Sequence, residues 1–267
     1  MTRVAPCVLI VLLVGCGDPA LLGVPDDADD MLQRASASST DGCSGIISLT
    51  TLSASSVLAG KSGAFVREMT GPGYASISGY VTPPDYATSS SDEQPWVYFG
   101  VGDGHTDIEA GLAFQHGDAT KPRRWRPFIR KGSRFVYADE AHSVFPGTRV
   151  WIKAYYRDGE VALMVNGPRL VSVAAWLDPA AVRLRRIVAI ATPFAFNGSN
   201  LASGGLADVV FEETKAVRRD GQVLSLRSIP RSFWQQGGVY HGSVCWPASR
   251  IRYRRDDMTD RISVYVP

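Results

Sequence analysis

The sequence predicts an all-β protein whose single folded domain occupies residues 43–267. Short runs rich in Val, Ile, Tyr, Phe and Trp recur along this region, and Gly, Pro, Asp and Ser separate them. Apolar and polar residues alternate within these runs, and no segment carries the long apolar stripe of an amphipathic helix. The length also fits one β-sandwich, since such domains commonly run about 200–250 residues.

The N-terminal segment has the order of a bacterial secretory signal. Arg3 is followed by an apolar run from Val8 to Val14, which is too short to span a bilayer because a span needs about 20 apolar residues. The run ends in Leu-Val-Gly-Cys at 13–16, which resembles the lipobox of bacterial lipoproteins. The resemblance implies that residues 1–15 are a signal peptide and that Cys16 is lipidated. An ordinary signal peptide with a chance cysteine is the alternative.

Residues 16–42 are predicted to be the lipidated cysteine and a disordered acidic tether. Six aspartates and one arginine lie within 17–42, and such a segment has too little apolar surface to fold. We therefore expect an exported protein, anchored through its N-terminal lipid in the outer membrane or at the cell surface. Because the whole chain carries +2, the tether −5 and Arg3 +1, residues 43–267 carry +6. That mild charge predicts no nucleic-acid partner.

Two cysteines remain for the folded domain. Cys7 belongs to the signal peptide and Cys16 to the anchor, which leaves Cys43 and Cys245. An exported protein meets an oxidising environment, where disulfides persist. We expect a Cys43–Cys245 disulfide, with two free buried thiols as the alternative.

Candidate strands follow one another with turn signals between them. Asp158-Gly159 is the strongest hairpin signal, and Asp220-Gly221 is a second turn of that kind. The predicted strands cover 45–51, 63–69, 74–82, 96–102, 107–115, 123–130, 134–138, 148–157, 160–166, 169–175, 185–194, 206–213, 222–227, 243–254 and 261–266.

Alternation indicates which side chains of a strand face the core. In 96–102, Val97, Phe99 and Val101 point one way, whereas Trp96 and Tyr98 point the other way. The strands at 107–115 and 149–157 show the same pattern. The side chains predicted on the non-core faces include Trp96, Tyr98, Glu109, Gln115, Trp151, Lys153 and Tyr155.

These seven residues are a candidate binding cleft. Aromatic rings stack on the flat apolar faces of sugars, while carboxylate, amide and ammonium groups bind hydroxyl or amide groups. We therefore expect the seven to share one sheet face and to bind a polysaccharide or an extended peptide. The alternative is that another layer, or the N-terminal segment, covers this face.

The region from about residue 94 to 215 resembles a known family. Trp-Val-Tyr-Phe-Gly-Val-Gly-Asp-Gly at 96–104 leads into Ile-Glu-Ala-Gly-Leu at 108–112, and Pro-Gly at 146–147 precedes a long alternating strand. This order is similar to the glutamic peptidases, the eqolisins, and to small secreted bacterial proteins of the YrpD type. The resemblance implies an antiparallel jelly-roll sandwich of the concanavalin A-like kind.

The resemblance also implies two candidate catalytic positions. The catalytic glutamine of eqolisins sits two residues before a glycine, and Glu109 holds that position ahead of Gly111. The catalytic glutamate of the family lies in an Ala-Glu-aromatic context, and Asp208 is the nearest match. A Glu/Asp pair lacks the amide donor, but two close carboxyls suit the acid and base roles of glycoside hydrolysis. The alternative is that Glu109 and Asp208 are unrelated surface carboxylates.

Other catalytic patterns are not found. The four histidines show no ligand spacing, so we expect no metal and no cofactor. No Gly-x-Ser-x-Gly elbow supports serine catalysis. A basic run from Arg123 to Lys131 suits either an acidic polysaccharide or a solvated strand edge.

The sequence leaves three functions open. The favoured one is carbohydrate binding at the cell surface. The second is a hydrolase, either glycosidase-like or a degenerate glutamic-peptidase-like enzyme, that uses a carboxylate pair. The third is a structural surface protein without a ligand.

Overall fold

The computed structural model describes residues 61–86, 93–193, 205–229, 231–239, 251–256 and 259–265. Most of these residues lie in strands. In chain order the strands are β1 (Lys61–Thr70), β2 (Tyr74–Thr82), β3 (Gln94–Gly102), β4 (Asp107–Gln115), β5 (Arg124–Lys131), β6 (Arg134–Tyr137), β7 (Val150–Arg157), β8 (Glu160–Val165), β9 (Arg169–Ala174), β10 (Arg183–Pro193), β11 (Gly205–Arg218), β12 (Val223–Ser225), β13 (Arg231–Val239), β14 (Ile251–Asp256) and β15 (Thr259–Tyr265).

The strands form two antiparallel sheets. The first sheet has the order β13-β1-β10-β3-β4-β5-β6, and the second has the order β14-β15-β11-β2-β7-β8-β9. The short β12 pairs only with β11. Pairings such as β1 with β10 and β2 with β11 join strands that are distant in sequence, as in a jelly roll, and the predicted antiparallel sandwich is confirmed.

The inner faces of the two sheets enclose the hydrophobic core. Val97, Phe99 and Val101 of β3 are fully buried there, as their alternation predicts. The ring of Phe99 lies 6.2 Å from the ring of Phe211 on β11, between centroids, so the sheets contact each other directly. Burying a side chain of this size contributes about 1.5–3 kcal/mol.

The predicted hairpin at Asp158-Gly159 is confirmed. Arg157 pairs with Glu160 at the ends of β7 and β8, which leaves a loop of two residues. Asp158 and Gly159 both have positive φ angles, 53° and 76°. A type I′ turn needs positive φ at both central positions, which is why Asp-Gly is favoured there.

One strand is longer than predicted, and another was not predicted. β11 continues to Arg218 instead of ending near residue 213, because irregularities at Asp208 and Glu213, both with positive φ, break its alternation. β13 was not predicted, because its Gln-Gln-Gly-Gly stretch at 235–238 has little strand propensity. The pairing of β13 with β1 shows that tertiary contacts override that local preference.

Several predictions lie outside the described residues. These are the signal peptide, the lipidation of Cys16, the tether, the strand at 45–51 and the Cys43–Cys245 disulfide. In the ranges that the structure describes, no helix is long and apolar enough to cross a membrane.

Candidate functional site

The outer face of the first sheet, here called the front face, carries four of the predicted site residues. β3 and β4 are neighbours in this sheet, with Tyr98 opposite Gly111 and Gly100 opposite Glu109. Trp96 and Tyr98 point away from the core, opposite to the buried Val97 and Phe99. By the same alternation Glu109 and Gln115 of β4 share this face.

The other three predicted ligand-binding residues lie on the opposite side of the molecule. Trp151, Lys153 and Tyr155 belong to β7 in the second sheet, and they point outward because Ile152 and Ala154 are in the core. The prediction of one shared cleft is therefore wrong. Alternation identifies a strand's outer side but cannot say which of the two sheets the strand joins.

The predicted pair of Glu109 and Asp208 does not form. Asp208 lies on β11 in the second sheet, is exposed, and has a φ of 54° at a strand irregularity. Its backbone N–H donates to the Ser263 hydroxyl at 2.9 Å. The short motif at 207–209 resembled the context of the eqolisin glutamate. The local sequence shows neither the irregularity at Asp208 nor the sheet to which β11 belongs.

Glu109 is held in place by two neighbours on the front face. Its Oε1 accepts from the Tyr98 hydroxyl at 3.2 Å, and its Oε2 accepts from Nη1 of Arg130 at 2.9 Å. Burial raises the pKa of Tyr98, and the negative charge of Glu109 raises it further. Tyr98 therefore stays a donor to Glu109, whose side chain is 22% exposed.

Arg185 on β10 crosses the front face to reach β4. Its side chain lies over Gly100 and Gly102 of β3, where a Cβ would come within 2.9 Å of its Nε and Nη2 atoms. The Nη2 group donates to the Asp107 carboxylate. Burial acts to lower the pKa of Arg185, but the charge and hydrogen bond of Asp107, together with the charges of Tyr98 and Glu109, outweigh it and the pKa is raised. The two glycines therefore form a trough that fixes the Arg185 guanidinium.

Arg67 on β1 adds a second guanidinium next to Arg185. Arg67 pairs with Ile187 and Met69 pairs with Arg185, so the two arginines are diagonal neighbours on adjacent strands. Burial lowers the pKa of Arg67, and the charge of Arg185 lowers it further. Two like charges therefore lie close together at this end of the front face.

Aromatic rings form a small second cluster on the front face. Trp96, Tyr98 and Phe128 are buried in it, with Trp96 and Tyr98 each 4% exposed. The Arg130 guanidinium lies over the rings of Trp96 and Phe135, at 5.6 and 5.1 Å from their centroids. Trp96 and Tyr98 are therefore the floor of the face, and the prediction that they are open stacking plates is corrected.

Among the rings described on this face, Tyr137 of β6 is the most exposed, at 39%. It stacks on Phe135, with centroids 5.8 Å apart and ring planes 11° apart, and the Arg126 guanidinium lies 5.2 Å from its centroid. Sequence reasoning missed Tyr137, Arg67 and Arg185 as site residues. The alternation of β1, β6 and β10 could have placed them on an outer face.

Positive charge exceeds negative charge on the described part of the front face. Arg124 and Arg126 share the Glu140 carboxylate, at 3.3 and 3.9 Å. The cationic side chains by alternation are Arg67, Arg124, Arg126, Arg130, Arg183 and Arg185, and the carboxylates near them are Asp107, Glu109 and Glu140.

The outer face of the second sheet, here called the back face, carries its own aromatic row. Tyr80 of β2 is opposite Trp151 of β7. The Arg149 guanidinium lies 3.4 Å from the centroid of Tyr80, and Nζ of Lys153 lies 5.6 Å from that of Tyr155. All of these rings are half-buried. Within the described ranges, neither face holds a group of three or more His, Cys, Asp or Glu residues that could bind a metal ion.

No protein-family model and no curated protein matches this sequence. Solved structures of similar fold include the Scytalido-glutamic peptidase with a peptide-based transition-state analogue, at 15% identity over 78% of this chain and 98% of that chain, with a TM-score of 0.45. SCP-B, a member of the eqolisin family of peptidases, has 14% identity over 77% of this chain and 98% of that chain, with a TM-score of 0.39.

A glycoside hydrolase structure is also similar in fold. The mixed linkage glucan PUL GH16 of Bacteroides ovatus, in complex with a product, has 13% identity over 52% of this chain and 70% of that chain, with a TM-score of 0.34. These likenesses concern the fold alone.

Proposed function

We propose that this protein is an exported, lipid-anchored carbohydrate-binding protein and that its front face holds the ligand. The observation that carries the proposal is the arrangement of Tyr137, Arg126, Arg130 and Glu109 on one sheet face. An accessible ring lies there beside guanidinium and carboxylate groups. Rings suit the apolar faces of sugars, and the charged groups suit their hydroxyls.

The polar groups of the front face are already oriented. Glu109 is fixed by Tyr98 and Arg130, while Arg130 also donates from Nε to the backbone oxygen of Gly132 at 2.7 Å. Side chains that are ordered before binding lose little conformational entropy when a ligand arrives. This order favours a binding role for the face.

A hydrolase is the second candidate, and one observation favours it. Asp107 and Glu109 are alternate residues of β4, so their side chains share a face at a Cα separation of about 7 Å. Glycosidases commonly use two carboxyl groups on either side of the scissile bond. However, both carboxylates accept from guanidinium groups, of Arg185 and Arg130, whereas a glycosidase needs one carboxyl as proton donor. Binding without turnover is therefore the better supported function.

A glycan array and polysaccharide affinity electrophoresis with the full-length protein test the proposal. Tyr137→Ala should weaken binding about 5-fold or more, because a stacking ring contributes about 1 kcal/mol or more. Trp151→Ala is the matched control on the back face and should leave binding unchanged. Loss of binding in Trp151→Ala but not in Tyr137→Ala would contradict the proposal and indicate that the binding site is on the back face.

A reducing-end assay with the same polysaccharides separates the two candidates. We expect no new reducing ends. Release of reducing ends that Glu109→Gln abolishes would instead establish a hydrolase, because a general acid or base contributes about 10²–10⁴ in rate.

A further inference from the structure

Trp176 is the most exposed large apolar side chain among the described residues, at 84%. It lies in the loop between β9 and β10, and its two neighbours in the chain, Ala175 and Leu177, are buried. Exposure alone does not mark a binding site, because single apolar residues are common on protein surfaces. The position of the Trp176 ring relative to the turn beside it is the informative feature.

Backbone hydrogen bonds on both sides of Trp176 fix the loop. The N–H of Ala175 donates to the carbonyl oxygen of Gly159 at 2.9 Å. The N–H of Asp178 donates to the Asp103 carboxylate at 3.0 Å. The indole is therefore held outward on an ordered backbone, which lowers the entropic cost of binding a ligand there.

One face of the Trp176 ring lies against the turn between β7 and β8. A Cβ built on Gly159 of this turn would lie 3.1, 3.1 and 3.3 Å from Cη2, Cζ3 and Cε3, which are three consecutive atoms of the six-membered ring. A group at the edge of the ring would be much closer to the middle atom than to the other two. The near-equal distances therefore place Gly159 under the face of the ring. The opposite face is left to solvent, as in a plate on which a ligand ring can stack.

Two charged side chains precede Gly159 in the same turn. Nε of Arg157 donates to Oδ2 of Asp158 at 3.0 Å, and both side chains are exposed. Such a pair is weak because water competes for both partners, so the guanidinium and carboxylate groups stay accessible to the hydroxyl groups of a ligand. Their opposite charges also cancel, which favours a neutral ligand.

The surroundings of Trp176 favour a sugar over a membrane or a protein partner. Contact with a membrane or with a protein hot spot requires further apolar surface around the indole. Ala175 and Leu177 are buried, however, and Arg157 and Asp158 are charged. A flat apolar plate bordered by hydrogen-bonding groups is instead suited to a sugar ring.

Trp176 is separate from the front face. Its ring packs on a turn of the second sheet, whereas Tyr137 lies on the outer face of the first sheet. Packed sheets are about 10 Å apart, so one sugar unit cannot contact both rings. Two separate contacts allow one protein to hold two stretches of polysaccharide, which increases avidity.

We infer that Trp176 is a second sugar-binding platform and that it binds a neutral β-linked glucan. The hydroxyl groups of β-linked glucose units are equatorial, so the faces of the sugar rings are flat and apolar and suit an indole. The inference rests on the proposed carbohydrate-binding function for its class of ligand, and it adds a site away from the front face.

Acrylamide quenching of tryptophan fluorescence, with cellohexaose as the probe, tests the platform in the full-length protein. Cellohexaose should reduce quenching, because a stacked sugar shields the exposed indole of Trp176. Trp176→Ala should remove this protection and lower the affinity for cellohexaose about 5-fold or more. Trp176→Phe keeps a smaller ring and should retain part of the affinity. Trp151→Ala removes another outward tryptophan and is the control, which should keep both the protection and the affinity.

Tyr137→Ala distinguishes the platform from the front face. Protection by cellohexaose that persists in Tyr137→Ala supports a separate site, even if no glycan binding depends on Tyr137 and the front-face proposal fails. Quenching that cellohexaose does not change, with glycan binding that still depends on Tyr137, would overturn the platform and leave the proposed function intact. Protection by phosphatidylglycerol vesicles but not by cellohexaose would overturn the sugar platform in favour of a membrane contact. Binding to no glycan would overturn both proposals.

Discussion

The Arg186 guanidinium on β10 donates to the Asp260 carboxylate on β15 at 2.6 Å, so an ion pair joins the two sheets inside the sandwich. Arg186 also donates to Glu68 on β1, and Arg227 donates to Asp260 at 2.8 Å. The Arg186 guanidinium lies 4.9 Å from the ring centroid of Phe211. The network therefore holds charged groups of both signs in an interior that is mostly apolar.

Arg186→Met should destabilise the protein strongly. The substitution leaves the Glu68 and Asp260 carboxylates buried without this cation, and breaking a buried pair from one side costs about 3–5 kcal/mol. Arg157→Met is the control, because the side chains of its pair with Asp158 are 79% and 85% exposed. The control should change the free energy of unfolding by less than about 1 kcal/mol. Urea unfolding measures both values, and equal values would contradict a structural role for the network.

Gly111→Ala should destabilise the first sheet. A Cβ at Gly111 would lie 2.5 Å from the Cα of Tyr98, so the backbone of β3 or β4 must shift. Overpacking of this kind typically costs about 1–3 kcal/mol. Gly71→Ala is the matched control, since a Cβ there meets no atom within 4 Å. Thermal melting of both variants tests the prediction, which fails if Gly111→Ala melts at the temperature of the control.

The sequence predicted the strands and the core far better than the site. Alternation alone placed Val97, Phe99 and Ile108 in the core, because a strand with one buried face must repeat its apolar side chains every second residue. The same rule named Trp96 and Trp151 as outward residues. It could not assign them to different sheets, because strand order depends on long-range pairing that leaves no local pattern.

The front-face arginines were missed for a related reason. Arg185 and Arg186 are adjacent in sequence, yet one lies on the front face and the other is in the interior. Two consecutive arginines in a strand predict a solvent-exposed segment, since buried arginine is rare. Only the register of β10 with β1 and β3 shows the two faces apart. Asp107 pairs with Arg185 on the front face, and Glu68 pairs with Arg186 on the inner face of the sheet.

Tyr98 should make stability depend on alkaline pH. Its pKa is raised in the folded protein by burial and by Glu109, whereas an unfolded tyrosine ionises near about 10. Above that pH the unfolded chain loses a proton that the folded protein keeps, so the free energy of unfolding falls as pH rises. Tyr98 alone should lower the free energy of unfolding by up to about 1.4 kcal/mol per pH unit in this range.

Tyr98→Phe isolates this effect. At pH 8 the variant should be about 1 kcal/mol less stable, because it loses the hydrogen bond to Glu109. Between about pH 10 and 11.5 its stability should fall less steeply than that of the native protein, so the difference shrinks or reverses. Urea unfolding across this range gives both slopes. Parallel slopes would contradict a raised pKa for Tyr98.

Cys16 should carry the membrane anchor. The Leu-Val-Gly-Cys box after a short apolar run predicts that the mature chain begins at Cys16 and that this residue is acylated. Two or more acyl chains anchor stably, since each buried methylene contributes about 0.8 kcal/mol. Mass spectrometry of the membrane-extracted protein should show the modified N-terminus, and Cys16→Ala should release the protein from membranes. An unmodified Cys16 would exclude the anchor.

The last prediction concerns Cys43 and Cys245, which lie near the two ends of the predicted domain. A disulfide between them would close a loop of most of the domain. The chain-entropy model gives about 5 kcal/mol for such a loop, although natural bridges more often contribute about 2–4 kcal/mol. Thiol titration of the exported, denatured protein should find neither thiol before reduction and both after it. Cys245→Ser should lower the melting temperature of the oxidised protein but not that of the fully reduced protein. Two titratable thiols before reduction would rule the bridge out, because a disulfide formed on export should persist in an oxidising compartment.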